Sequence, residues 1–180
     1  MRVAPSPVAG ILIMCAFLYE GREETLLILY FDGLCEPVNP GGVATYGYLI
    51  LDGRRTVEEG CGFVGAGMFG NDVSNNVAEY TAMIRGIERL LLLGLSGEVA
   101  VRGDSQLVIN QMLGRYAVRA ERILPLHNRA VEMSKQFGKI SFEWIPREMN
   151  AAADALTRKA FSQFLEKNGQ SYKSYYGKKG

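Results

Sequence analysis

A chain of 180 residues suggests one domain, two at most, and its 48% hydrophobic and 22% charged residues are ordinary for a globular protein with a substantial core. Twenty Lys and Arg against nineteen Asp and Glu leave a formal charge of +1, which excludes a nucleic-acid binder working by bulk charge and equally an acidic solvating tail. The three cysteines, Cys15, Cys35 and Cys61, form no C-x-x-C pair and there is a single histidine, so the composition argues against a zinc site and a reducing, cytoplasmic setting is expected. A Cys35–Cys61 bridge is the alternative reading.

Residues 8–18 (VAGILIMCAFL) are too short for a spanning helix. They have the length of a signal-peptide core, yet only Arg2 precedes them and no small-x-small cleavage site follows. The segment reads as an extra packed element or as an extension upstream of a start at Met14, and residues 1–24 are set apart as an N-terminal extension. From residue 25 the pattern is regular. The unbroken apolar run 26–31 (LLILYF) predicts a central strand buried on both faces and ending at Asp32-Gly33. A Pro/Asn/Gly-rich loop follows through Gly42, then strands over 43–51 and 56–64 joined by the hairpin signal Asp52-Gly53.

A helix is predicted over 76–93, with Val77, Tyr80, Ile84, Ile87 and Leu91 on one stripe and Gly94 as its stop. Next come a short strand over 98–103, helices over 105–113 and 119–136, a strand over 139–145 and a last helix over 148–165. The polar tail 167–180, with Tyr172, Tyr175 and Tyr176, lies outside the catalytic unit 25–166 in this reading, either loose or pinned by its aromatics. An antiparallel meander followed by crossover helices implies a single α/β domain: a mixed sheet flanked by helices.

Four acidic residues stand at element ends: Asp32, Glu79, Asp104 and Asp154. Each alone has an ordinary explanation. Asp32-Gly33 reads as a turn, Asn76-x-x-Glu79 as a capping box, Asp104 as an N-cap, and Asp154 as the partner of Arg158 one helical turn on. Together they point elsewhere, because strand ends of α/β sheets gather at one edge, where ligands bind. Carboxylates gathered there form a hard-oxygen site suited to Mg²⁺ or Mn²⁺.

The segments YFDGLCEPVNPGG, SNNVAEYTA, GDSQLVINQ and WIPREMNAAADAL resemble, in order, the four motifs of the type 1 ribonuclease H family, over residues 30–161. The run P-R-E-x-N-x-x-A-D is similar to the archaeal-type branch. The resemblance implies a ribonuclease H-like fold with a five-stranded mixed sheet. It also implies cleavage of the RNA strand of RNA/DNA hybrids with two divalent ions, leaving 5′-phosphate and 3′-hydroxyl ends. On it, Asp32, Glu79, Asp104 and Asp154 take the metal-binding positions, with Asp32 shared by both ions. Cys35, Asn39, Ser74, Asn75, Asn76 and Gln106 take those of substrate contacts, where amides suit the 2′-hydroxyl that distinguishes RNA from DNA. Archaeal-type members also imply tolerance of double-stranded RNA.

Two departures stand out. Arg147-Glu148 replaces the histidine many members carry before the last helix, and an arginine is no base near neutral pH, so Arg147 is assigned to holding a phosphate. The basic insertion of some members is missing, since only residues 114–119 separate the two middle helices. Arg115, Arg119, Arg122 and Arg129, with Tyr116 for stacking, offer a weaker basic face. His127 is read as structural. A monomer without membrane association is expected; the rival reading is a nucleic-acid-binding module that kept the fold without catalysis.

Overall fold

The computed structural model describes residues 26–177. The five strands are β1 (Leu27–Glu36), β2 (Val43–Asp52), β3 (Arg55–Ala66), β4 (Glu98–Gly103) and β5 (Lys139–Trp144). The helices are α1 (Asn75–Leu92), α2 (Gln106–Met112), α3 (Leu124–Ser134) and α4 (Ala151–Tyr176), with short 3-10 turns at Gly67–Phe69 and Arg147–Met149. The strands form one sheet in the order β3-β2-β1-β4-β5. β1 pairs antiparallel with β2, and β2 with β3, whereas β1–β4 and β4–β5 are parallel. The expected five-stranded mixed sheet is therefore present. No helix among the described residues is long and apolar enough to cross a membrane, and the apolar run 8–18 lies outside the described residues.

β1 places its side chains alternately on two faces. Leu29, Phe31 and Gly33 meet α1: a Cβ on Gly86 would lie 2.3 Å from a Leu29 methyl carbon, and one on Gly33 would lie 2.2 Å from the Glu79 amide. Asp32 points the other way, to α4, where Thr157 Oγ1 lies 3.3 Å from its Oδ2. α1 with α2 and α3 covers one face of the sheet, and α4 covers the other over β1 to β3. Ile28 and Tyr30 are consequently only half-buried, not sealed on both faces as predicted, because α4 leaves the β4–β5 side open. The main core holds Tyr80, Phe31, Leu29, Ile50, Met83 and Ile87 fully buried, each contributing roughly 1.5–3 kcal/mol.

Several boundaries differ from the sequence expectation. β1 does not end at Asp32; it continues to Glu36, with Asp32 opposite Gly47. Only its parallel ladder ends there, at Tyr30 opposite Arg102. Gly33 is accordingly no turn residue but the point where a helix backbone rests on a strand. α3 starts at Leu124 rather than 119, with a proline in its first turn, where its missing N–H is harmless. α4 runs past 165 to Tyr176, and Phe164 and Tyr176 pack with Val43 and Ala66 in a second core. The aromatics of the tail are thus part of the folded unit. The Cys35–Cys61 alternative is overturned, since both are free thiols. Cys35 faces Ala44 on one side of β2 and Cys61 faces Gly47 on the other, so they sit on non-adjacent strands, too far apart for a disulfide.

His127 is structural, as expected: its Nδ1 lies 3.3 Å from the buried Tyr80 hydroxyl, which donates to Gln111 Oε1 at 2.9 Å.

Gly47 lets α4 close on the sheet, because a Cβ there would lie 2.7 Å from the Ala153 carbonyl oxygen and 2.8 Å from the Thr157 amide. Gly47→Ala is expected to destabilise the protein by roughly 1–3 kcal/mol through overpacking. Gly97→Ala, where a Cβ meets nothing within 4 Å, should stay within about 0.5 kcal/mol. Denaturant midpoints of the two variants check the contrast.

Candidate metal and active site

Asp32 reaches the site from β1, just beyond the point where β4 leaves it. Glu79 comes from the second turn of α1, carried against β1 by the close approach at Gly33. Asp104 follows β4 directly. Neither of the two latter residues caps a helix as its ordinary explanation would have it: Ser74 Oγ accepts from the Val77 amide at the start of α1, and Ser105 Oγ from the Val108 amide at the start of α2. Both carboxylates are thereby released for other work. One oxygen each of Asp32, Glu79 and Asp104 lies within 4.8 Å of the others.

Burial and neighbouring carboxylates make Asp32 and Glu79 resist ionising. Asp32 is pushed up to about 7, first by burial and then by Asp104 and Asp154, against the opposing hydrogen bonds of Gly33 and Thr157. Burial likewise drives Glu79 well above the usual carboxylate range, with Asp32 and Asp104 adding to it. Glu79 Oε1 accepts from Asn75 Nδ2 at 3.3 Å, while Glu79 Oε2 is buried without a hydrogen-bond partner. An orphaned carboxyl oxygen beside two further carboxyl groups is a set of hard donors that a divalent cation fits.

Asp154, in the first turn of α4, stands outside this three-residue group. Its oxygens accept from Arg158 Nε at 2.8 Å and Arg147 at 3.1 Å, and the Arg158 guanidinium holds it below the usual carboxylate range. The expected Asp154–Arg158 pair therefore exists, and Arg147, on the 3-10 turn before α4, joins it with an exposed guanidinium.

The six expected substrate residues divide by position. Asn39, exposed on the loop after β1, accepts from the Asn75 amide at 2.9 Å, so that loop is tied to the start of α1, where Ser74, Asn75 and Asn76 are half-buried. Gln106 is exposed at the first position of α2. Cys35 is buried beneath the loop, and its thiol donates to the Val38 carbonyl.

Three contributors had no role assigned from sequence. Asn150 Nδ2, almost fully buried, donates to the Phe31 carbonyl at 2.9 Å and to Asp104 Oδ1 at 2.7 Å, joining β1 to Asp104 where the strands part. Thr157 Oγ1 lies 3.3 Å from Asp32 Oδ2 and donates to the Asp154 carbonyl at 2.8 Å. Trp144, half-exposed at the end of β5, donates from its indole to the Asp104 carbonyl at 3.0 Å. Asn150 and Thr157 lie four residues before and three after Asp154, on one face of α4, and that spacing is the available signal.

A family model described as reverse transcriptase-like matches residues 31–160, most of the chain. Over 77% of this chain and 98% of its own, the RNase H1 structure from the halophilic archaeon Halobacterium salinarum superposes with a TM-score of 0.69 at 32% identity. The chain belongs to the type 1 ribonuclease H family. The N-terminal RNase H domain of Rv2228c from Mycobacterium tuberculosis superposes with a TM-score of 0.71 at 32% identity, over 80% of this chain and 99% of that domain. LC11-RNase H1, solved in complex with an RNA/DNA hybrid, gives 0.69 at 34% identity over 77% of this chain and 99% of its own. Among curated relatives, the bifunctional protein Rv2228c is 42% identical over 87 residues, 48% of this chain, of which the chain spans 24% of the relative's length. Ribonuclease HI of Halobacterium salinarum is 34% identical over 131 residues, 73% of this chain and 62% of the relative.

Burial of Asp32, with repulsion from its neighbours, fixes a pH dependence. Between the ordinary value of 3.8 and about 7, native Asp32 keeps a proton that the unfolded chain has lost, so stability falls as pH rises through this window. In chelator, the wild-type protein is expected to lose roughly 2–4 kcal/mol between pH 4 and pH 8 that Asp32→Asn does not lose. Thermal melts across that range measure the difference, and added Mg²⁺ or Mn²⁺ should raise the wild-type midpoint at pH 8 but not that of the variant.

Proposed function

We propose that this protein is an endonuclease that hydrolyses the RNA strand of RNA/DNA hybrids using divalent cations held by Asp32, Glu79 and Asp104, with Asp154 completing the set. The observation that carries this reading is the convergence of three carboxylates within 4.8 Å, one with a buried unpartnered oxygen, in a ribonuclease H fold. Two Mg²⁺ or Mn²⁺ ions bound there supply activation of the attacking water and charge stabilisation at the leaving 3′-oxygen, giving 5′-phosphate and 3′-hydroxyl ends.

The chain's own residues do the positioning. Asn150 fixes the Asp104 carboxylate and Thr157 the Asp32 carboxylate, so neither has to reorganise when substrate arrives. Arg147 and Arg158 present guanidinium groups next to Asp154, where one can hold a phosphate oxygen. The amides of Asn39, Asn75, Asn76 and Gln106 can donate to and accept from 2′-hydroxyls along the loop and the starts of α1 and α2. Double-stranded RNA shares A-form geometry and 2′-hydroxyls, so weaker cleavage of it belongs to the same proposal.

A labelled hybrid incubated with Mg²⁺ or Mn²⁺ tests the assignment, with duplex RNA and duplex DNA in parallel. Asp32→Asn is expected to retain less than roughly 1% of wild-type cleavage, on the several kcal/mol that cation catalysis supplies. Undiminished cleavage by the variant would refute the site, and hybrid binding without cleavage in every metal would favour a non-catalytic module.

The basic face is narrower than its residue count. Arg122 pairs with Asp72 and Arg129 with Glu88, whereas Arg115 meets no carboxylate among the described residues and donates to the Asn110 amide oxygen. Hybrid affinity is therefore expected to fall gently with salt, with a log–log slope shallower than about −3, against about −0.9 per phosphate neutralised. Fluorescence anisotropy over a salt series measures it.

A further inference from the structure

The loop carrying Asn39 is held at its base by the end of α4. The buried Tyr176 hydroxyl donates to the Gly41 carbonyl at 2.9 Å and accepts from the Met68 amide at 3.2 Å. It thus ties residues 37–42 to the turn at Gly67–Phe69. The two backbones meet directly there: the Gly67 amide donates to the Gly42 carbonyl at 3.0 Å, and a Cβ on Gly67 would lie 2.1 Å from the Gly41 carbonyl oxygen. The Gly41 amide donates to Val73, the residue before the Ser74 cap of α1, at 2.9 Å. Asn39 completes the clasp by accepting from the Asn75 amide.

We infer that Tyr176 is a positioning residue for hybrid binding: its hydroxyl sets the 37–42 loop, and through Asn39 and Asn75 the amide surface that meets the substrate. This rests on the proposed hybrid nuclease. The ring itself is anchored by Tyr172, Tyr175, Val43 and Phe164, so removing only the hydroxyl keeps the packing and frees the loop. Nothing in this chain of contacts touches Asp32, Glu79 or Asp104 except through Asn75, so the effect falls on binding and not on the chemical step.

The test is Tyr176→Phe in the full chain, with Tyr172→Phe as the control, because the Tyr172 hydroxyl makes no hydrogen bond among the described residues. For Tyr176→Phe, amide exchange at Gly41 and Gly67 is expected to quicken in the free protein. KM for a hybrid should rise roughly 3- to 10-fold at unchanged kcat, the effect of losing the two hydrogen bonds that set the loop, with the thermal midpoint within a few degrees of wild type. The control should match wild type in all three. Unchanged exchange, unchanged KM, or a fall in kcat that tracks the thermal midpoint would each overturn the inference. If the wild-type protein cleaves no hybrid, the proposed function falls, and the exchange comparison still decides whether Tyr176 holds the loop.

Discussion

Helix α1 can place Glu79 beside Asp32 only because β1 has no side chain at Gly33, where the helix backbone rests on the strand. Any Cβ there collides with backbone atoms of Ala78 and Glu79, which have no rotamer by which to escape. The repulsion among the carboxylates pushes the same contact apart. It is opposed at a distance by Leu29 packed against Gly86 and by Tyr80, Met83 and Ile87 buried beneath α1. The hydrophobic core thus holds together charges that would separate on their own.

The opposite face of the sheet solves the same problem with the same device. Gly47 lies opposite Asp32 on β2, and its missing side chain admits the first turns of α4. That brings Asn150 and Thr157 within hydrogen-bonding distance of the parting strands. The helix therefore contributes more than Asp154. Its amide bridges β1 and Asp104 where a ladder bond would otherwise be, which leaves the end of the β1–β4 ladder satisfied while the carboxylates stay open on one side.

Apolar periodicity made the elements and their order readable, and the strands over 43–51 and 98–103 differ little from β2 and β4. It misplaced what packing decides. An Asp-Gly pair in a single sequence reads as a turn, and only the helix lying on Gly33 shows otherwise. The end of α4 was hidden because Gly169 and the run of polar residues around it weaken a helical stripe, while Tyr176, which pins it, acts across the fold on Val43, Ala66, Gly41 and Met68. Asp32, Glu79 and Asp104 were legible as a set through the motifs around them, although β1 runs on past Asp32. Asn150 and Thr157 were not, since an amide or a hydroxyl on a helix carries no charge to mark it and their partners on β1 lie more than a hundred residues away.

A net charge of +1 conceals how the charge is arranged. Acidic groups are concentrated at the site, and two of the four arginines that might have formed a basic face are committed to Asp72 and Glu88. On the proposed function, little bulk attraction for a phosphate backbone leaves discrimination to groups that read shape and hydroxyls at short range. Amides do this only when held in register, since a displacement of a fraction of an ångström breaks a hydrogen bond whereas a long-range charge scarcely notices it. That difference in range fits the way the loop after β1 is tied to Val73, to Asn75, to Gly67 and to the end of α4, while the arginines sit on exposed turns and helix surfaces. In this protein, precise placement of neutral groups stands where a more basic relative could rely on charge.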